Sequence, residues 1–274
     1  VGIDPVFLQY LLGLVGNVSL PDGTVVDGTN AAKVLVHDVY WNYPVEESDG
    51  IFAAVASAAF DKILGGIGDV DVTKLVGAFE RGAEEGRLIA WMRNDDEQNA
   101  IKETGIDASL PDPDDPSADP VAGVYFNNLS FSKLDWYLNA DTQIGQGIKN
   151  GDGTCSYRIT VTLTNIMTQE EAGKLPDYVA ASAPDAARDD ERLNVSLFAP
   201  TGGNISDLTV EGTQFGLGAA TWHGIPFYSG TVDLHAGETT TITYTLTTSA
   251  EAGDKPLTLR QTPTCQAARD SASA

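Results

Sequence analysis

Cysteine, histidine and basic residues are scarce in this sequence of 274 residues. It holds two cysteines and three histidines, and its 16 Lys and Arg face 39 Asp and Glu, for a formal net charge of −23. Such a field repels the phosphates of DNA, RNA and anionic lipid, which argues against nucleic-acid binding. No CxxC pair or Cys/His cluster suggests zinc. No P-loop, H-E-x-x-H helix or G-x-S-x-G elbow is present. We therefore expect no catalytic residue, no cofactor and no metal site.

Long apolar runs are also missing. No stretch of about 18 apolar residues could span a membrane, and the first twenty or so residues carry no basic region of a signal peptide. The chain opens directly on a short strand, so we expect a fragment of a longer protein whose membrane anchor precedes Val1. The acidic surface is typical of a secreted or salt-exposed protein; attraction of a basic partner or of divalent cations is the alternative.

Residues 1–110 are predicted to form an α/β, helix-rich and N-terminally truncated domain. Asp4 is a good N-cap with Pro5 at the first helical position, and apolar residues follow at helical spacing. The stretch 87–92 (RLIAWM) is predicted to be a buried strand. Helices are predicted at about 4–15, 29–41, 48–64, 72–85 and 96–104.

The periodicity changes after a linker at 111–120 that is rich in Pro and Asp. Residues 121–274 contain seven or more runs of β-forming residues, and alternation is clear in RITVTL and TITYTL. Their apolar and threonine-rich faces are typical of antiparallel sheets with one solvated side. The predicted fold class is α+β, with an antiparallel immunoglobulin-like β-sandwich at 121–274. The polar stretch 166–192 is predicted to be a surface excursion.

The two cysteines, Cys155 and Cys265, fall at the edges of β-rich segments. We predict that they form a disulfide that joins the first long strand to the last. It would close a loop of about 110 residues and contribute roughly 4–5 kcal/mol in the chain-entropy model. A disulfide of this kind would indicate an extracytoplasmic environment.

Other polar residues receive structural interpretations, with a functional alternative beside each. The histidines are interpreted as surface or packing residues rather than bases. The acidic cluster 95–97 suits the N-terminus of a helix, with acid/base catalysis as the alternative. The stretch 150–153 (NGDG) is interpreted as a turn rather than part of a calcium loop. The histidines are His37, His223 and His235.

Arg81 and Arg87 stand out because cations are few. Arg87 is predicted to pair with Glu84, Glu85 or Asp96, with phosphate binding as the alternative. Six aromatic residues could line a sugar site, although core or inter-domain packing is the favoured interpretation. These aromatics are Phe131, Trp136, Tyr137, Trp222, Phe227 and Tyr228.

Several motifs occur in an order that resembles a known family. They are IDPVFLQYLLGLVGNVSLPDG, TNAAKVLVHDVY, EEGRLIAWMRNDDEQ and NNLSFSKLDWYL. They resemble an actinobacterial family of secreted or membrane-anchored proteins that carries a placeholder "domain of unknown function" name. The resemblance implies an N-terminal transmembrane anchor, a large extracytoplasmic part and a role in the cell envelope or exopolysaccharide. It implies no catalytic residues.

The N-terminal part also resembles, more weakly, the middle of LytR–CpsA–Psr ligases. That resemblance implies transfer of lipid-linked glycopolymers by arginines and aspartates with Mg²⁺, yet WNYPVEESDG contains no arginine where that family is arginine-rich. We therefore predict a non-catalytic cell-surface domain that acts in envelope or exopolysaccharide assembly by binding or scaffolding. Its expected partner is a cell-wall glycopolymer or another envelope protein. The alternative is part of a glycopolymer phosphotransferase whose active-site half is missing.

Overall fold

The computed structural model describes residues 2–20, 22–65, 70–211, 218–266 and 271–272. The chain divides into two compact units, Val1–Ser109 and Leu110–Ala274. The fold is mixed α+β, with helices concentrated in the first unit and mainly antiparallel sheets in the second. Among the described residues, no helix has the length and hydrophobicity needed to cross a membrane.

The first unit is a set of helices with two small two-stranded sheets. Strand β1 pairs antiparallel with β4, and β2 pairs antiparallel with β3. The elements in chain order are β1 Gly2–Ile3, α1 Pro5–Val15, β2 Val18–Ser19, β3 Val25–Val26, α2 Ala31–Lys33, a π-helical turn Val34–Asp38, α3 Val39–Asn42, α4 Val45–Gly65, α5 Val72–Glu84, β4 Leu88–Ile89 and α6 Asp95–Glu103.

Helix α1 is the centre of this unit and confirms the prediction for 4–15. The Asp4 carboxylate accepts a hydrogen bond from the Phe7 N–H, and Pro5 occupies the first turn. Phe7 and Leu11 are fully buried on one side of the helix, and Leu12 packs into a second cluster with α2 and α4. The helix thus buries apolar residues on two flanks, which explains its high apolar content.

Two predicted elements of this unit differ in detail. The helix predicted at 29–41 is interrupted by the π-helical turn Val34–Asp38, which no hydrophobic spacing reveals. The strand predicted at 87–92 is only two residues long, because Ala90 already turns to bond the Ile106 carbonyl. The helices at 48–64, 72–85 and 96–104 are confirmed within a few residues.

The second unit contains two larger sheets. One has the strand order β11-β12-β9-β5-β14; the other has the order β10-β13-β8-β6-β15, with β7 also paired to β8. Neighbours are antiparallel except β14 on β5 and β15 on β6. The elements are β5 Val121–Asn128, a 3₁₀ turn Asp135–Tyr137, β6 Leu138–Ile144, β7 Ile148–Lys149, β8 Cys155–Asn165, α7 Gln169–Ala172, β9 Glu191–Phe198, β10 Asn204–Glu211, β11 Gly218–Trp222, β12 Ile225–Leu234, β13 Thr239–Thr247, β14 Thr258–Gln261 and β15 Ser271–Ala272.

The two sheets of this unit share one apolar core. Alternate residues of β9 are buried, and so are alternate residues of β8 and β13, as the period of a strand requires. Val161, Val195 and Ile242 are fully buried members of the same cluster. Outward positions therefore alternate with this core along each strand, and they supply the surfaces available for binding.

The segments outside the strands are also packed. In the predicted excursion 166–192, five apolar side chains are buried: Met167, Leu175, Val179, Ala180 and Ala183. The stretch 111–120 is held to the second unit, since the Thr201 hydroxyl donates to the Asp112 carbonyl and the Lys255 ammonium donates to the Ser117 carbonyl. Polar composition concealed these contacts because they use main-chain carbonyls.

Candidate ligand-binding face

The structure does not join Cys155 and Cys265 in the predicted disulfide. Cys155 begins β8. Cys265 lies toward the other end of that strand, because the neighbouring Gln266 amide donates to the Trp136 carbonyl just before β6, and the start of β6 pairs with the end of β8. Ten residue steps of about 3.3 Å span roughly 33 Å, whereas a disulfide needs Cα atoms within about 7 Å. The sequence placed both cysteines near the ends of strands, but these strand ends lie at opposite ends of the second unit.

A shallow cleft of about 370 Å³ lies beside Cys155. Tyr157, Lys149, Asp254 and Lys255 contribute to its lining, and Lys149 and Asp254 form an exposed ion pair at 2.6 Å. Burial raises the pKa of Tyr157, and a hydrogen bond with the Cys155 side chain raises it further. Polar side chains lie at the rim of the cleft, but those named here do not converge on one point where they could hold a ligand.

Arg87 is the buried cation of the first unit. Its Nη1 lies 2.7 Å from an Asp4 carboxylate oxygen, and its Nε lies 2.5 Å from a Glu85 oxygen. Glu85 also accepts from the Tyr10 hydroxyl at 2.8 Å and from the Arg81 Nε at 2.7 Å. Burial opposes ionisation of Glu85, but the bonds from Arg81 and Arg87 hold its pKa below the ordinary value. The predicted pairing of Arg87 with Glu85 is confirmed.

Two of the histidines, His37 and His235, lie beside carboxylates, and His37 and His223 each lie against a Trp ring. His37 Nδ1 lies 2.7 Å from Asp38, and His235 Nδ1 lies 2.8 Å from Asp190. His223 packs edge-on against Trp222. Within the second unit, His223 and His235 thus have different neighbours, and His37 belongs to the first unit.

The acidic cluster 95–97 and the NGDG stretch have local structural roles. The cluster forms the first turn of α6, which the Asn94 side chain caps by accepting from the Asp96 and Glu97 N–H groups. In NGDG, the Asp152 carboxylate accepts from the Thr154 N–H and hydroxyl. In the described part of the chain, no group of three or more His, Cys, Asp or Glu side chains is arranged to hold a metal ion.

The six aromatics of the sequence analysis do not form one site. Tyr137 is buried, Phe131 is 74% exposed, and Tyr228 packs against the apolar core that the two larger sheets share. Phe227 instead lies on the outer face of the five-stranded sheet, where it meets two aromatics that the sequence analysis did not single out. These are Tyr125 on β5 and Phe198 on β9.

Tyr125, Phe198 and Phe227, here called the aromatic strip, run across three adjacent strands. The rings of Phe198 and Phe227 stack with centroids 4.6 Å apart and planes 8° apart. Tyr125 meets Phe198 edge-on at 5.7 Å. Both are geometries that aromatic pairs favour. All three side chains are only partly buried, so they retain surface for a ligand.

Gly123 determines where the Tyr125 ring lies. A Cβ at position 123 would come within 2.8 Å of Tyr125 Cε2 and 3.0 Å of Phe198 Cβ. The ring thus lies against bare backbone, a close approach that a glycine at position 123 permits. Burial raises the pKa of Tyr125, with Arg260 opposing, so its hydroxyl stays protonated as a hydrogen-bond donor.

Asn194, Ser196 and Ser229, here called the polar strip, lie beside the aromatic strip on the same outer face. Ser196 faces Tyr125 on one side and Ser229 on the other in the strand register. The Ser229 hydroxyl donates to Asn194 Oδ1 at 3.0 Å and lies 3.0 Å from the Ser196 hydroxyl. These uncharged groups can donate or accept at the edge of a stacked ligand.

The sequence contained a partial signal for this face. Tyr125 in VAGVYFNN and Phe198 in NVSLF occupy positions that alternate with buried residues, which marks them as outward-facing. What it did not contain was the strand order. Only the neighbouring positions of β5, β9 and β12 bring three aromatics from distant segments into contact.

Residues 1–40 match a family model described as "Protein of unknown function (DUF4012)". No curated protein matches the chain. One similar solved structure is that of a Legionella pneumophila protein described as a "putative nutrient binding protein"; it is 10% identical, with a TM-score of 0.25. That alignment covers 48% of this chain and spans under half, 45%, of the other.

Proposed function

We propose that this chain is a non-catalytic domain that binds a cell-envelope glycopolymer on the outer face of its five-stranded sheet. It would act by binding or scaffolding in envelope or exopolysaccharide assembly, as the extracytoplasmic part of a membrane-anchored protein. The proposed setting rests on the resemblance of the sequence to a secreted, actinobacterial family. We also propose that the two larger sheets form an immunoglobulin-like sandwich.

The observation that carries this proposal is the pairing of an aromatic strip with a polar strip on one partly exposed face. A pyranose ring has an apolar face of C–H groups and a rim of hydroxyls. The stacked rings of Phe198 and Phe227 offer an apolar platform to that face. The hydroxyl and amide groups of Ser229 and Asn194 are placed to bond the rim.

Charge narrows the class of glycan. The net charge of −23 disfavours polyanions such as phosphate-rich or uronate-rich polymers. On the face itself, Arg192 Nε lies 2.6 Å from an Asp233 oxygen, and Arg260 acts on Tyr125. The three residues of the polar strip are uncharged. We therefore propose a neutral or amino-substituted polysaccharide as the ligand.

The phosphotransferase alternative has less support. Arg87, the buried cation of the first unit, is bound by Asp4 and Glu85, and Arg81 is bound by Glu85. A pyrophosphate would have to displace these carboxylates. Incubation with a polyprenyl pyrophosphate and Mg²⁺ is expected to give no hydrolysis or transfer above background.

Affinity electrophoresis through gels containing neutral, amino-substituted or anionic polysaccharides tests the proposal. The wild-type chain should be retarded by at least one neutral or amino-substituted polymer. Phe198→Leu and Phe227→Leu keep apolar volume but remove the planar rings, and each should weaken binding about tenfold, or roughly 1.4 kcal/mol.

Phe131→Ala is the matched control, because it removes an exposed aromatic that lies outside the face. It should leave retardation unchanged. Retardation by no polysaccharide, or equal loss of binding in the control and in the two face variants, would contradict the proposal.

A further inference from the structure

In the described part of the second unit, Glu191 is the carboxylate whose burial is least compensated by hydrogen bonds or a nearby cation. It opens β9 opposite Leu234 and shares the inward side of the strand with Leu193. Its side chain is fully buried, and neither carboxylate oxygen has a hydrogen-bond partner among the residues that the structure describes. An ionised carboxylate without a partner is very costly in such a place. A neutral, protonated carboxyl costs far less.

In the described part of the chain, the groups that act on Glu191 include no compensating cation. Its carboxyl is influenced by burial first and by the negative charge of Asp135 second, and both raise its pKa well above the ordinary value. Other charges at this end are already paired: Arg192 binds Asp233, His235 lies beside Asp190, and Lys133 lies against the Tyr178 ring. Asp189 accepts from the Ala236 N–H.

Residues 129–137, here called the cap segment, connect β5 to β6 beside Glu191. The Leu129 N–H donates to the Arg192 carbonyl at 2.7 Å, and the Arg192 N–H donates to the Ser130 hydroxyl at 2.8 Å. Asp135 belongs to this segment and accepts from the Asn128 amide at 3.3 Å. The cap segment is thus attached to the residue that follows Glu191, and it carries the like charge.

We propose that Glu191 is a buried proton-binding group that keeps the cap segment closed while it is protonated and loosens it on ionisation. Ionisation would place a second negative charge near Asp135 and would draw water toward the carboxylate. Opening the cap segment is the rearrangement that would admit this water at the lowest cost in free energy. The device responds to pH between the carboxyl's unfolded and folded pKa values.

The sign follows from proton linkage. The folded state holds the Glu191 proton more tightly than the unfolded state, so this contribution to stability is fully present below the unfolded pKa. It is lost as the pH rises through the folded pKa. Aspartates with lowered pKa, such as Asp115 and Asp152, act in the opposite direction at lower pH. The difference between wild type and Glu191→Gln isolates the device.

Hydrogen exchange and thermal unfolding of the full chain between pH 5 and pH 8 test the proposal. Glu191→Gln imitates the protonated carboxyl. Wild type and this variant should differ least at pH 5; by pH 8 the wild type should exchange faster at 129–137 and unfold at a lower temperature. The difference should grow by about 3–5 °C per pH unit.

Glu251→Gln, which removes a carboxylate from an exposed turn, should follow wild type at every pH. Should Glu191→Gln fail to fold, Asp135→Asn gives an independent test, since it should reduce the pH dependence of exchange at 129–137. A difference that does not change with pH would overturn the proposal. So would a wild type that Ca²⁺ stabilises equally at all pH values, which would indicate a cation-bound carboxylate.

Discussion

At the scale of single residues, Arg87 and Glu191 are both buried ionisable groups, but they differ in whether oppositely charged partners surround them. Arg87 is surrounded by two carboxylates that stabilise its charged form, and Asp4 and Glu85 raise its pKa against the effect of burial. Glu191 has no such partner within the described ranges of the chain. The first arrangement joins the start of β4 to the start of α1, whereas the second leaves a group that responds to pH.

Replacing Arg87 by Ala should destabilise the first unit by about 3 kcal/mol, because it leaves Asp4 and Glu85 without their buried partner. Chemical denaturation followed by circular dichroism measures the change. The control is Arg81→Ala. Its guanidinium is mostly exposed and lies 4.1 Å over the Tyr10 ring, so its loss should cost no more than about 1 kcal/mol. Equal costs for the two variants would argue against a special role of burial at Arg87.

Sequence patterns predicted some of these residues and not others. The neighbour Glu85 was foreseen as a partner of Arg87 because it lies two positions away. Asp4 was not, since it is 83 residues distant and only the antiparallel pairing of β1 with β4 brings it close. Glu191 gave no signal at all, because a Glu beside two Asp residues looks like an exposed turn until the strand's inward side is known.

At the scale of elements, β9 connects the features of the second unit. Its inward side begins with Glu191 and continues into the core, and its outward side carries Asn194, Ser196 and Phe198. Helix and strand periodicity predicted most elements. It could not predict the π-helical turn within 29–41, which depends on the hydrogen-bond pattern, or the order of strands, which depends on the whole sheet.

Asn165 holds three elements together at the end of β8. Its side-chain NH₂ group donates to the Asp189 and Leu234 main-chain carbonyls, and its side-chain oxygen Oδ1 accepts from the Met167 N–H. Asn165→Ala should cost about 2–4 kcal/mol of unfolding free energy, because it leaves buried main-chain groups unpaired. Urea denaturation measures it. Asn139→Ala, a less buried position on the paired strand, should cost less than about 1 kcal/mol. A small effect at Asn165 would contradict this account.

Gly123→Ala should disturb the aromatic strip without removing any ring, because the added methyl would meet Tyr125 and Phe198. We expect weaker polysaccharide binding and a change in the near-ultraviolet circular dichroism of the aromatics. Gly151→Ala is the matched control, since no atom lies within 4 Å of a Cβ at that position. Unchanged binding by Gly123→Ala would argue against a role of Tyr125 placement.

At the scale of the whole molecule, the strand registers determine the state of the thiols. Because Cys155 and Cys265 lie at opposite ends of the second unit, both thiols should be free. The protein, denatured without reductant, should therefore react with two equivalents of an alkylating reagent. Intact mass measures this uptake. Uptake of none, with two after reduction, would restore the predicted disulfide and would require a different path for the chain after β14.

The central claim is that the outer face of the five-stranded sheet binds a glycan. Hydrogen exchange of the full chain, with and without the polysaccharide that binds it most tightly in the gel panel, tests this claim most directly. The account predicts slower exchange in β9 and β12, which carry Phe198 and Phe227, and no change in β8 and β13 of the other sheet. Protection confined to the first unit or to β8 and β13, with β9 and β12 unchanged, would contradict it.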